Sequence, residues 1–305
     1  MSLAQFNLWV AEIRNDRARG ASELARRALE LLAEAARTLP VADALELWRR
    51  LLSLADDLIT ARPSMAPIRN LLRRWRESLP PPADSTLVVA RELAAERAEA
   101  LIAASRRAVA ECAVHAARLL GSGRTVMTHS LSSTVMETCR LLKDDGLRMI
   151  VTESRPLGEG RRLAERLSAW RVPTTCITDA QMGLFVAQAD AVLVGADSVL
   201  ADGAVVNKAG TYPLALAARD QGVPFHVCCE SFKWRAPDEP TPELEEMAAA
   251  ELGAPDWPAV TVRNVYFDLT PARLVNAWID ETGGRRSPRG AVKKPGRLER
   301  RPGQG

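Results

Sequence analysis

Apolar residues recur at intervals of three and four along the first quarter of the chain. They fall at Leu24, Ala28, Leu31 and Leu32, then at Leu45, Leu47, Leu51, Leu54 and Leu58. This spacing lays one apolar stripe along a helix, so residues 3–78 are expected to be helical, with Pro40 between two of the helices. Pro80-Pro81-Pro82 reads as a stop and a linker. A long alanine-rich stretch from Thr86 to Leu120 reads as one extended helix whose small side chains permit close packing.

After Gly121-Ser122-Gly123 the period changes. Short apolar runs predict strands at Thr125–Thr128, Met149–Glu153, Thr174–Thr178, Ala191–Val194 and Pro224–Cys228. Helices are expected between them at Thr134–Lys143, Glu159–Ala169, Ala180–Ala187 and Leu214–Gln221. Strands alternating with helices imply a parallel sheet with helices on both faces. Asp268-Leu269-Thr270-Pro271 reads as a helix start, with Pro271 suited to the first turn. The expected organisation is a helical domain over 1–82, a connecting helix over 83–120, a sheet domain over 121–284 and a tail over 285–305. No internal repeat is visible.

Composition refines this picture without redirecting it. An apolar fraction of 47% and a charged fraction of 26% suit a water-soluble globular chain. Five scattered cysteines without a C-x-x-C pair point to reduced thiols and a cytoplasmic setting. Three isolated histidines predict no metal site, and no apolar stretch is long enough for a membrane span. The net charge of +3 hides an asymmetry: residues 285–305 hold eight Lys/Arg and one Glu, a local +7, which leaves −4 for residues 1–284. That Gly- and Pro-containing tail is expected to be disordered, either as a solvated end or as a weak contact for nucleic acid.

Candidate chemistry collects where strands end. Thr128-His129-Ser130-Leu131-Ser132-Ser133 follows the first strand and opens a helix, where hydroxyls and free N–H groups suit a phosphate. Glu153-Ser154-Arg155 follows the second strand, and Arg155 is a candidate phosphate partner. Thr178-Asp179 follows the third. Asp197 follows the fourth, read either as an acid/base or as a buried structural carboxylate. Asn207-Lys208 and Gly210-Thr211 then open an alanine-rich helix, a further candidate anion site. Ser130 is read as chemistry or as a helix cap, His129 as a packed core histidine, and Glu230 with Lys233 as a surface pair. The sequence lacks G-x-G-x-x-G, G-x-x-x-x-G-K-[ST] and G-x-S-x-G, so dinucleotide, nucleoside-triphosphate and serine-hydrolase readings lose their signatures. What remains is phosphate recognition with carboxylate chemistry on a sugar-sized ligand.

The segments THSLSS, ESRPLGEGR, VGADSVLADGAVVNKAGT, VPFHVCCESFKW and NVYFDLTP, with IRNDRARGASELA and ARPSMAPIRN before them, occur in this order. In that order they resemble the α/β/δ subunits of eukaryotic translation initiation factor 2B. That architecture is shared with methylthioribose-1-phosphate isomerase and archaeal ribose-1,5-bisphosphate isomerase. The resemblance covers residues 10–284. It implies an N-terminal helical domain followed by a Rossmann-like domain, assembled as a homodimer or larger homo-oligomer, with no cofactor. For the isomerase branches it implies aldose–ketose conversion of a phosphorylated pentose. Asp197 would then move a proton at the sugar oxygen. Arg19, Gly20, Ala21, Arg62, Ser132, Ser133, Arg155, Asn207, Lys208 and Lys233 would bind substrate or phosphate. Where the isomerases carry a cysteine this chain has Ser130, whose hydroxyl is far less acidic than a thiol and needs a neighbouring base. The resemblance therefore implies two functions: an isomerase, or a non-catalytic protein that binds a sugar phosphate or nucleotide monophosphate and regulates a partner.

Overall fold

The computed structural model describes residues 3–78, 86–255 and 257–286. Pro80–Pro82 and nearly all of the basic tail lie outside them. Four helices come first: α1 (Leu3–Asn15), α2 (Ala21–Thr38), α3 (Ala44–Ala61) and α4 (Ala66–Glu77). The expected stripe is their buried face, since Leu24, Ala28, Leu31, Leu32, Leu47, Leu51, Leu54 and Leu58 all sit in one core, except that Leu45 in the first turn of α3 is exposed. Asp43 caps α3 by accepting from Glu46 N, which satisfies a first-turn donor.

Helix α5 (Leu87–Leu120) is one continuous element of 34 residues, about 50 Å long at the usual rise. Its alanines serve two layers. Ala90, Ala94, Ala95 and Ala98 close the helical core, while Cys112, Ala116 and Leu120 pack on the sheet that follows.

That sheet contains β1 (Thr125–Thr128), β2 (Arg148–Thr152), β3 (Thr174–Ile177) and β4 (Ala191–Val194), all parallel, with α6 (Ser133–Leu142) and α7 (Glu159–Ala169) on the crossovers. The connection from β3 to β4 is a broken helical stretch in which only α8 (Met182–Phe185) is α-helical, so the single helix expected over Ala180–Ala187 is not formed. Between β4 and the next strand of the sheet the chain makes β5 (Ser198–Val199), β6 (Val205–Lys208) and α9 (Thr211–Asp220). The sheet continues with β7 (Phe225–Cys228), and after it come β8 (Phe267–Thr270), β9 (Ala277–Asp280) and β10 (Gly283–Arg286). The seven-stranded order is β10-β9-β7-β4-β1-β2-β3, parallel except for β10, which runs antiparallel to β9. In this order the two halves of the sheet diverge between β1 and β4, the place where ligands bind in doubly wound folds.

Three expectations are corrected here. Asp268–Thr270 is not a helix start but part of β8, which joins β5 and β6 in a separate antiparallel sheet. Asn207 and Lys208 end strand β6 and do not open a helix. The backbone of Arg285 and Arg286 pairs in β10, so the tail begins after the sheet's edge and not at 285.

Candidate functional site

A cleft opens at that switch point, with about 730 Å³ of space in and above it that runs out into open solvent. Its floor is the ends of β1 and β4, represented by His129, Ser130, Gly195 and Asp197. Lys208 and Asn207 enter from β6, Tyr266 from the segment before β8, and Lys233 from the turn after β7. The helical region closes the other side with Arg17 to Ser22 and Arg62. Residues far apart in the chain therefore meet where Ser22 in the first turn of α2 bonds Glu230 beyond β7 and Ala66 N at the start of α4 donates to Asp197 O beyond β4.

Two helix N-termini face this space. Gly20 precedes α2 without any side-chain cap, and Ser132 caps α6 by accepting from Val135 N at 3.4 Å. First-turn N–H groups have no intrahelical acceptor and carry the positive end of the helix dipole, so each end suits an anion. The end of β4 and the start of α6 meet through small residues. A Cβ on Gly195 would lie 2.5 Å from Ser132 Oγ, so only glycine lets the end of β4 approach α6 this closely.

Asp197 lies between these ends and the cations. It opens partly to the cleft, while protein encloses the rest. Its backbone is pinned on both sides, with N donating to Val206 O and O accepting from Ala66 N. Among the described residues no donor reaches its carboxylate. Burial raises its pKa to about 6, against the opposing pull of Lys233, Lys208 and Arg62. A carboxyl poised near neutrality is suited to passing a proton in either direction.

The cations come already paired. Arg62 is bound by Glu245 at 2.6 Å, Lys208 by Glu159 at 2.6 Å, Arg17 by Glu251 at 3.1 Å and Arg19 by Asp16 at 2.6 Å. Lys233 stands 3.7 Å from Glu230. Lys208 also rests 4.1 Å from the centre of the Tyr266 ring. Because each positive side chain has its own carboxylate, the start of α2, which no side chain caps, adds to the cleft's attraction for an anion.

Most of the residues singled out from sequence converge: Arg19, Gly20, Ala21, Arg62, Ser130, Ser132, Ser133, Asp197, Asn207, Lys208 and Lys233 all line the cleft. Arg155 does not. Its side chain is exposed and donates to Leu252 O at 3.0 Å, outside the cleft lining. Its strand-end N–H groups are also taken, because Asp179 accepts from Ser154 N and Arg155 N. The anion site expected at the start of α9 is likewise filled: the Asp268 carboxylate accepts from Gly210 N at 2.7 Å and Tyr212 N at 3.0 Å. Glu230 and Lys233 are not a surface pair, since both are fully enclosed.

His129 is buried, as expected of a packed histidine, yet it borders the cleft. Its Nδ1 meets Thr152 Oγ1 at 2.6 Å and its Nε2 meets Ala209 O at 2.9 Å. A carbonyl only accepts, so Nε2 carries the proton and Nδ1 accepts from the threonine. Burial lowers the pKa of the imidazole, despite the nearby Asp179 carboxylate. Ser130 adopts φ 69, a left-handed conformation uncommon for serine, and its N donates to Ser154 Oγ at 2.7 Å. Among the described residues no base lies within hydrogen-bond distance of its hydroxyl.

Sequence reading missed Arg17, Glu159 and Tyr266, which sit inside the segments that carried the resemblance, beside residues it did select. Glu245 had no such signal. It lies in an acidic stretch without periodicity and reaches Arg62 only through the tertiary fold. Among the described residues no group of His, Cys, Asp or Glu is arranged to hold a metal ion.

With this geometry in hand, the relatives are informative. A protein of Pyrococcus abyssi described as translation initiation factor eIF-2B subunit 2-like is 38% identical over 274 residues, covering 89% of this chain and 93% of its own length. Ribose 1,5-bisphosphate isomerase of Haloterrigena turkmenica is 35% identical over 286 residues, covering 87% of this chain and 85% of its own. The crystal structure of the Pyrococcus horikoshii OT3 translation initiation factor eIF-2B superposes with a TM-score of 0.81 at 34% identity, across 94% of this chain and 99% of that one. Residues 17–287 match the Initiation factor 2 subunit family. The chain spans the switch-point cleft, the helical cover and both sheets within that match, and it belongs to the Initiation factor 2 subunit family.

Proposed function

We propose that this protein is an aldose–ketose isomerase acting on a phosphorylated pentose of the ribose 1,5-bisphosphate type. The observation that carries the reading is Asp197: a carboxyl raised to about 6 at the switch point, in a cleft lined by the uncapped start of α2 and the Ser132-capped start of α6. The relatives named as ribose 1,5-bisphosphate isomerase support the substrate class. Asn207, Lys208 and Lys233 hold sugar oxygens, and the helix ends with Arg19 and Arg62 hold phosphate.

The chemistry moves two protons. Protonated Asp197 gives its proton to the ring oxygen as the C1–O bond breaks. Loss of the proton on C2 then forms a C1=C2 double bond, with phosphate retained on C1. The Asp197 carboxylate next takes the proton of the C2 hydroxyl as the carbonyl forms, and a proton returns to C1. Raising the carboxyl towards neutrality makes both its forms accessible. The carbon-bound proton needs a second group, and Ser130 is the nearest counterpart of the family's cysteine.

Ser130 also favours a second reading, because a hydroxyl without a base is a poor proton carrier. In that reading the cleft binds a sugar phosphate or nucleotide monophosphate and signals to a partner without turnover. Conversion of ribose 1,5-bisphosphate to the ketose, measured for the parent, Asp197→Asn and Ser130→Cys, separates the two. Turnover in the parent that vanishes in Asp197→Asn supports the isomerase. An inert parent that gains activity on Ser130→Cys supports the binding protein, and a parent that binds no phosphosugar or nucleotide monophosphate defeats both.

A further inference from the structure

Glu230 has no part in the chemistry above, yet its carboxylate lies fully buried behind the cleft. Oε1 accepts from Ser22 Oγ in the first turn of α2. Oε2 accepts from Thr134 Oγ1 in the first turn of α6 at 3.2 Å and stands 3.7 Å from Lys233 Nζ. One carboxylate thus holds a hydroxyl from each of the two helix N-termini and faces Lys233, which lines the same cleft as Asp197. Ser22 and Thr134 are themselves buried, so their hydroxyls would be costly to leave without this acceptor.

We propose that Glu230 is a positioning residue that clamps the first turns of α2 and α6 into one anion-binding floor and divides the charge of Lys233 with Asp197. The inference rests on the phosphosugar reading of the cleft. The groups facing Glu230 are Ser22 and Arg26 on α2, the Cys112 thiol on α5, Thr134 on α6, the Cys229 thiol just past β7 and Lys233 on the turn that follows. Those facing Asp197 are Lys233, Lys208, Arg62 and Glu245. Lys233 is the group common to both sets. Burial opposes its charge, but Glu230 first and Asp197 second hold its pKa above the ordinary value. Burial would likewise push Glu230 upward, but Lys233 and the two hydroxyls keep its carboxyl below the usual range. A permanently ionised Glu230 therefore draws Lys233 away from Asp197 and keeps Asp197 easier to protonate.

Glu230→Gln retains the shape and an acceptor while removing the charge. The stability difference between the parent and Asp197→Asn, followed by urea denaturation across pH, reports the titration of Asp197 without substrate or turnover. In the Glu230→Gln background its midpoint should fall by about one pH unit, because the whole Lys233 charge then acts on Asp197. A second arm tests the clamp: Ser22→Ala should weaken calorimetric binding of ribose 5-phosphate about tenfold while the fold persists, and Ser22→Thr should restore it. An unmoved midpoint together with unaltered ribose 5-phosphate binding overturns the proposal, since a merely structural carboxylate would change the melting temperature alone. If Glu230→Gln does not fold, Ser22→Ala decides. A parent that binds no phosphosugar refutes the functional reading, but the midpoint, which needs no ligand, still judges the role of Glu230.

Discussion

Replacing Asp197 by asparagine should stabilise this protein at pH 8 while sharply lowering the isomerase turnover proposed for it. The carboxyl's ordinary value is 3.8, and burial raises it to about 6 even with Lys233, Lys208 and Arg62 nearby. At about 1.4 kcal/mol per pH unit, that gap makes the ionised form on the order of 3 kcal/mol less favourable in the folded chain than in the unfolded one. A group whose folded value lies above its unfolded value contributes most below the unfolded value and loses that contribution as pH rises through the folded one. The parent should therefore lose stability relative to Asp197→Asn between about pH 4 and pH 6. The two proteins should be nearly equal at pH 4, with asparagine ahead by roughly 3 kcal/mol at pH 8. Urea denaturation at intervals of half a pH unit measures this, and because every other group is common to both proteins, the difference isolates Asp197. The attraction of the three cations is already included in the value near 6, so it adds nothing further. A difference that does not vary with pH, or an asparagine variant weaker than the parent at pH 8, would refute the placement of this carboxyl. Turnover should fall by about 10²- to 10⁴-fold in the same variant, the usual loss for a general acid–base group.

Further outcomes test the surrounding geometry. Ribose 1,5-bisphosphate should raise the melting temperature of the parent and of Arg155→Ala alike, because Arg155 lies outside the cleft lining; Lys208→Ala should lose most of that shift. Gly160→Ala should cost more than about 4 kcal/mol in chemical denaturation, since its Cβ would sit 1.7 Å from the Thr152 carbonyl oxygen, a backbone atom with no rotamer to yield; a cost below about 1 kcal/mol would mean α7 does not approach β2 this closely. Nitrogen NMR should find His129 neutral with the proton on Nε2 at pH 7, and a charged imidazolium there would contradict the burial of that ring. The lowered value also means that the stability His129 supplies is present above the ordinary 6.5 and fades as pH falls.

Much of the molecule is written in local pattern. The stripe from Leu24 to Leu58 is enough to specify helices whose apolar faces must meet, and the alternation after Gly123 requires a parallel sheet with helices to cover it. Thr125–Thr128 and Ala191–Val194 agree with the strands to the residue, because an apolar run bounded by turn residues has few other ways to be buried. Asp197 and the start of α6 are legible as polar groups at strand ends, whereas Lys208, read as opening a helix, ends a strand.

Pairing across the fold was decided only in three dimensions. Asp268 looked like a helix start because Pro271 follows it, yet β6 offers its backbone a ladder, and its carboxylate caps α9 instead of opening a helix of its own. Arg155 looked like a phosphate ligand because it follows a strand, but the Leu252 carbonyl lies within its reach and the cleft lining does not include it. Glu230 and Glu245 carried no local period; the packing of α2 and α4 on the sheet brought Ser22 and Arg62 to them. Hydrophobic periodicity selects elements because burial depends on spacing along the chain. Charge pairing depends on distance through space, and only the assembled structure supplies that distance.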